Sequence, residues 1–247
     1  SLTRNDLLDY HREYYIPKSC MLRLTGKVTD EMLVRLSESF GRYSSDVEAT
    51  KEKEISITMS SDREIWVEKN NALQSAVRIG CPVVGREHPD FVGLRILNTV
   101  LGGYFGSRLM LNIRENKGYT YGISAGIMFY PDSGLLIVST ETDNEYVEPL
   151  IQEVYHEIDR LHQEVVPVEE LSMVRNYMLG EMCRSYESAF SLSDAWIFIA
   201  TSGLGDDYFS RSLQAVQEVT PAELQDLAQR YLCKEKLKEV IAGKKIS

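Results

Sequence analysis

The chain has 247 residues, of which 43% are hydrophobic and 26% charged, with a formal charge of −10; this is an ordinary balance for a globular protein with enough apolar content for a core. The acidic excess argues against a nucleic-acid partner, which needs clustered lysine and arginine, and weakly favours neutral or basic peptides. No apolar run approaches the ~20 residues of a membrane helix, and the four scattered cysteines, Cys20, Cys81, Cys183 and Cys233, fit buried thiols in a reducing, cytoplasmic setting better than a disulfide framework or metal cage.

In chain order, Thr3 and Asp6 form a capping-box pattern that opens a helix over 3–15, ended by Pro17. Residues 20–25 alternate as a strand before Gly26, and 30–40 form a helix closed by Gly41. The polar run that follows reads as a linker. Strands are expected at 55–59, 63–68 and 74–80, then a helix opened by Pro89 and ending at Leu101. Strands at 119–129 and 135–142 are joined by Pro131, Asp132, Ser133 and Gly134, residues that suit a turn. The rest is helical, over 145–163, 168–186, 188–201, 206–217 and 220–232, with Pro149 delaying the start of the first. Met173, Met178 and Met182, with Leu171 and Leu179, are read as core. A last strand covers 237–242. Strands followed by helices without regular alternation indicate an α+β fold of two layers, an antiparallel-rich sheet covered by helices.

The organising stretch is LGGYFGSRLMLNIRENKGYTYG, Leu101 to Gly122. It reads as a glycine-rich loop, an amphipathic helix from Ser107 to Asn116, a C-cap at Gly118 and the start of a strand. Leu109, Leu111 and Ile113 fall near one helical face, and Arg108, Asn112 and Glu115 on the wet side. Arg114 then stands on the last helical turn and Tyr121 at the third residue of the strand. Singly, each has an ordinary account: an arginine there complements the helix dipole, and a strand tyrosine packs.

The whole string is more specific. Leu101, Gly102, Gly103, Ser107, Arg108, Leu109, Ile113, Arg114, Glu115, Gly118 and Tyr121 closely resemble, at fixed spacing, the second-domain segment of the pitrilysin/insulinase family of zinc metallopeptidases, which includes the mitochondrial processing peptidases. The resemblance implies a metalloprocessing-peptidase-like domain in which Arg114 and Tyr121 are catalytic. They would reach a zinc site built by another domain or subunit and hold substrate and tetrahedral intermediate, while Gly102, Gly103, Ser107 and Arg108 handle substrate. It implies peptide hydrolysis, a homologous zinc-bearing domain or subunit as partner (in the same polypeptide, a dimer mate or a separate chain), and peptide as substrate, with no cofactor in this chain itself. Some members of the family keep the fold and lose catalysis, acting as structural or peptide-binding subunits, and that alternative stays open.

An internal repeat bears on organisation. Laid without gaps, 3–27 over 220–244 pairs Thr3 with Thr220, Leu7 with Leu224, Asp9 with Asp226, Tyr14 with Tyr231, Gly26 with Gly243 and Lys27 with Lys244. Both copies read helix, connector, strand, Gly-Lys. If the second copy closes one unit, the first closes a preceding one. The expected domains are therefore 1–43 as the tail of a preceding homologous domain, 44–54 as linker, and 55–247 as a full C-terminal domain, the chain being a fragment of a longer protein.

The family's zinc motif, H-x-x-E-H on a helix, is absent: His11, His88, His156 and His162 include no pair four apart. In HEIDRLH, the six-residue step from His156 to His162 turns an ideal helix by about 600°, leaving the rings roughly 120° apart, on what reads as a solvated face. No metal is expected here, and independent peptidase activity is not expected. Loop 102–106 lacks the G-K-[ST] ending of a phosphate loop, and no serine has the histidine partner of a nucleophile triad.

Overall fold

A computed structural model describes residues 2–41, 58–130 and 133–246. The expected linker 44–54, residues 55–57 of the first expected strand, and Pro131 and Asp132 of the turn lie outside the described residues. Backbone contacts divide the chain into two units: 1–59 with 185–196, and 60–184 with 197–247.

The second unit is built on a mixed five-stranded sheet in the order β1-β5-β2-β4-β3, with β1 Glu64–Glu68, β2 Gln74–Val83, β3 Ile123–Phe129, β4 Gly134–Asp143 and β5 Lys238–Gly243. Only β1 and β5 pair in parallel; the other neighbours are antiparallel. Strict alternation along β2 puts Val77, Ile79, Cys81 and Val83 inside. They meet Leu136 and Val138 of β4 and Ile241 of β5 in one apolar cluster. Helices close that face: α3 Phe91–Asn98, α4 Val147–Gln163, α5 Val168–Arg184, α7 Tyr208–Glu218 and α8 Pro221–Tyr231. α4 contributes Leu150, Val154, Ile158 and Leu161, and α8 Leu224, Leu227 and Ala228. Each fully buried aliphatic side chain contributes about 1.5 to 3 kcal/mol. α+β is therefore the fold class; on the sheet's other face Ala76, Arg78 and Gly80 alternate with the core residues of β2, and among the described residues of this unit no helix is packed over them.

Several expectations are corrected. Tyr119 to Gly122 are not strand; β3 begins at Ile123. Thr140 Oγ1 bonds Gly122 O at 2.9 Å and Thr142 Oγ1 bonds Tyr119 O at 2.5 Å, so hydroxyls satisfy carbonyls that a ladder would otherwise take. The helix opened by Pro89 starts at Phe91 and continues through Leu101 as a π turn, Thr99–Gly103. α4 starts at Val147 with Pro149 in its first turn, where a missing N–H costs no helical bond. Leu171 and Met178 are buried and Leu179 and Met182 pack on the core, whereas Met173 is exposed.

In the first unit, α1 Arg4–Tyr14 and α2 Asp30–Phe40 have no buried residue. Residues 20–25 form no strand, because alternation supplies a strand pattern but no partner strand lies alongside it among the described residues. The two repeat copies nevertheless share their helix start atom for atom. Thr3 Oγ1 accepts from Asp6 N–H at 3.3 Å and Asp6 accepts from Thr3 N–H at 2.7 Å, and Thr220 with Glu223 gives the same two distances. The copies differ in what covers them: Leu224 is fully buried, and its counterpart Leu7 is 61% exposed.

Candidate functional site

The glycine-rich connection is a packing device. A Cβ on Gly102 would lie 2.6 Å from Ala125 N and 2.7 Å from Ala125 Cβ, so only glycine lets the π turn rest on β3. Asn98, one turn earlier, donates to Ala125 O at 3.0 Å and covers the free edge of that strand. Gly103 is exposed, and a Cβ there would lie 3.2 Å from Thr99 Oγ1.

The following helix is present but largely π-wound, Met110–Asn116. Leu109 and Ile113 are fully buried as read, but Leu111 is exposed, and Arg108, placed on the wet side from a 3.6-residue period, is only 6% exposed. Arg108 Nε and Nη2 donate to the two carboxylate oxygens of Glu170 at 2.8 and 2.9 Å. Burial opposes the guanidinium charge, and the hydrogen bonds and attraction of Glu170 overcome that, holding Arg108 above its ordinary pKa. Arg108 Nη1 and the hydroxyl of Ser107 are buried without a hydrogen-bond partner. The arginine forms part of a polar depression of about 570 Å³ that also takes in Asn112, Glu153, Glu157 and Arg160. Asn112 donates to both Glu153 and Glu157, at 2.9 and 2.8 Å.

Arg114 stands on the last turn as expected. Its guanidinium bonds Glu115 at 2.8 Å and lies 4.8 Å from the Phe105 ring centre. The helix closes through Gly118, at φ +69°, where Gly118 N–H reaches Arg114 O at 3.2 Å. Tyr121 follows on the short connection before β3, and its side chain is 92% exposed. The backbone beneath it is pinned: Gly122 N–H donates to Thr120 Oγ1 at 3.1 Å, and that oxygen lies 2.7 Å from Glu141 O and 2.9 Å from Thr140 Oγ1.

Tyr121 forms the edge of a depression of about 270 Å³ on the open face of the sheet, with Thr120, Arg78, Ser139 and Glu141 in its walls; Arg114 is not among the residues lining it. Arg78 and Glu141 escaped the sequence reading. A single charge inside the run QSAVRIG carries no sign of which sheet face will be open.

The four histidines do not converge. His162 Nε2 bonds Ala228 O at 3.0 Å, His88 Nδ1 accepts from Asp90 N–H at 3.1 Å, and the His11 ring stacks on Tyr15. Among the described residues no three histidine, cysteine, aspartate or glutamate side chains are placed to hold a metal ion, so these groups do not fit a zinc site. No helix among them is long and apolar enough to cross a membrane.

The chain is 27% identical over 192 residues to an uncharacterised zinc protease of Bacillus subtilis, covering 77% of this chain and 46% of that protein. It is 24% identical over 240 residues to one of Mycobacterium leprae, covering 95% and 53%; the chain thus spans about half the length of these relatives. Among solved structures it resembles a peptidase M16 inactive domain from Pseudomonas fluorescens, with a TM-score of 0.85 at 20% identity, covering 100% of this chain and 59% of that one. A protease from Helicobacter pylori gives 0.82 at 18%, covering 98% and 59%. A family model, peptidase M16 inactive domain, matches residues 1–178, and the chain belongs to that family.

Proposed function

We propose that this chain is the non-metal C-terminal part of an insulinase-like zinc metalloendopeptidase. It lends Arg114 and Tyr121 to a zinc site carried by a homologous domain or subunit. The observation that carries this reading is Tyr121: a 92% exposed phenol on a backbone tied down by Thr120 and Thr140. Such a placement gives the tyrosine almost no packing value, and it is what a hydrogen-bond donor aimed at a partner requires. Arg114 complements it. Its Glu115 contact is an exposed neighbouring pair of little energetic weight, so the guanidinium is releasable to a substrate. Both would donate to the scissile carbonyl oxygen as it gains negative charge, an interaction of about 3 to 4 kcal/mol per donor in a dry site.

The first unit fits the same reading. The shared capping box, together with the exposed Leu7 where Leu224 is buried, supports residues 1–43 as the end of a preceding homologous domain, followed by a linker and the domain 55–247. The four free cysteines favour a cytoplasmic setting.

The test is Tyr121→Phe in the complete assembly. The substitution removes one hydroxyl from an exposed position, so the fold is untouched, and turnover of a peptide should fall by roughly two to three orders of magnitude. Full activity would remove Tyr121 from the mechanism. If no assembly containing this chain hydrolyses peptides, the chain is a structural or peptide-binding subunit.

A further inference from the structure

The open face of the sheet holds an arginine, Arg78, whose guanidinium bonds backbone carbonyls. Arg78 sits midway along β2, opposite Ser139 of β4 and Val240 of β5, on the side away from the helices. Its Nη1 donates to Val77 O at 2.9 Å and Thr140 O at 3.0 Å. Those bonds fix the guanidinium over the sheet and leave Nε and Nη2 without a hydrogen bond among the described residues, the same edge with which Arg108 grips Glu170. Among the described residues Arg78 pairs with no carboxylate, whereas Arg108, Arg114, Arg160 and Arg230 all do. Its floor is shallow and open because its strand neighbours on that face are Ala76 and Gly80. Tyr121 borders the same depression, which places Arg78 beside the proposed donor.

We infer that Arg78 is a carboxylate-recognising residue for peptide, binding an acidic side chain or a free C-terminus of a chain laid across the open face beside Tyr121. The inference rests on the proposed peptidase reading and adds a substrate feature to it. A planar guanidinium anchored through one nitrogen presents two parallel donors to a carboxylate, a geometry that a neutral amide of the same size cannot use fully. Glu141, also in the wall of the depression and without a cation in ion-pair range among the described residues, sets the limit. One isolated carboxylate is accepted, and a run of acids is repelled.

Three ten-residue peptides measured by fluorescence anisotropy on the 247-residue chain test this: one with blocked ends and a central Asp, the same with Asn, and the Asn peptide with a free C-terminal acid. At least one carboxylate peptide should bind about tenfold tighter than the blocked Asn peptide, as expected of a charge-assisted bidentate contact. Tight binding of the Asp peptide names the side chain as the source; tight binding of the free acid names the terminus. Arg78→Gln should reduce that advantage to under about twofold, and Glu141→Gln should raise affinity for the carboxylate peptide by about two- to threefold while leaving the Asn peptide unchanged, the scale of one like charge in a wet site. Equal binding of all three peptides, or no binding, overturns the inference. If Arg78→Gln does not fold, Glu141→Gln decides, since it is exposed and isosteric, and an unchanged affinity overturns the inference as well. Carboxylate-independent binding alongside a crippled Tyr121→Phe enzyme would sink this inference alone. A fully active Tyr121→Phe enzyme that keeps the Arg78 effect would sink the catalytic reading alone.

Discussion

Glu170→Ala is the sharpest probe of how the organising stretch is held. Arg108 is 6% exposed, and its guanidinium spends two donors on Glu170, itself 22% exposed. Removing the carboxylate strands a buried cation, which costs about 3 to 5 kcal/mol in a closed interior. Glu170 admits some water, so the lower end, about 3 kcal/mol, is expected. For a unit of this size that lowers Tm by about 6 to 12 °C. Circular dichroism melts, with urea unfolding as the equilibrium check, read it directly. Replacing both partners, as Arg108→Met with Glu170→Leu, should recover more than half of the loss, because no uncompensated charge remains. A loss under about 1 kcal/mol for Glu170→Ala would refute the structural account and free Arg108 for substrate, as the family resemblance implies.

Three further outcomes follow from the same packing and charge arguments. Gly102→Ala places a Cβ 2.6 Å from Ala125 N and 2.7 Å from its Cβ; overpacking of about 1 to 3 kcal/mol, seen as a lower urea midpoint, is expected, and an unchanged midpoint would show that the π turn can lift off β3. Asp90 accepts from Arg230 and, at 2.7 Å, from the Tyr231 hydroxyl, and the Arg230 hydrogen bond holds its carboxyl below the usual range. A carboxylate with a depressed folded-state pKa contributes stability above the unfolded value of about 3.9 and loses it as pH falls through the folded value. Asp90→Asn should therefore lower Tm at pH 7 by about 2 to 4 °C, the scale of one screened pair, and the gap should close below that range; a gap independent of pH would exclude the ionised carboxylate as its source. Burial pushes the Cys81 thiol up to about 11, so an alkylating agent at pH 8 should label the exposed Cys20 and Cys183 first and Cys81 only on unfolding, as mass spectrometry of digests will show.

The sequence made the seven-residue interval between Arg114 and Tyr121 legible, along with the helix starts at Thr3 and Thr220, because caps and fixed spacings are local properties. What it hid depends on the rest of the fold. The segment read alone put Arg108 on the wet side and Leu111 near the apolar face; Arg108 is buried because Glu170, 62 residues on, supplies a carboxylate partner, and Leu111 is exposed. Strand was read through Tyr121 because Tyr-Thr-Tyr favours strands, while the hydroxyls of Thr140 and Thr142, 18 or more residues on, take Gly122 O and Tyr119 O instead. Residues 20–25 alternate as strands do, yet a ladder needs a neighbour.

These same departures explain how an exposed phenol and a half-buried guanidinium can be held in place. Before Arg114, Gly102 rests on β3 and Arg108 is clamped by Glu170; after it, Gly118 at φ +69° turns the chain back. Thr120 and Thr140 then fasten the backbone on both sides of Tyr121. Tyr119, Thr120 and Gly122 beside the phenol are hydrogen-bonded, while among the described residues the phenol has no partner and the guanidinium has only weak ones. Ordering a frame costs conformational entropy, and here that cost is met by the core and the threonine network. A ligand that meets Arg114 and Tyr121 therefore has only their side-chain rotamers left to order, the condition under which a single added hydroxyl can change a rate by orders of magnitude.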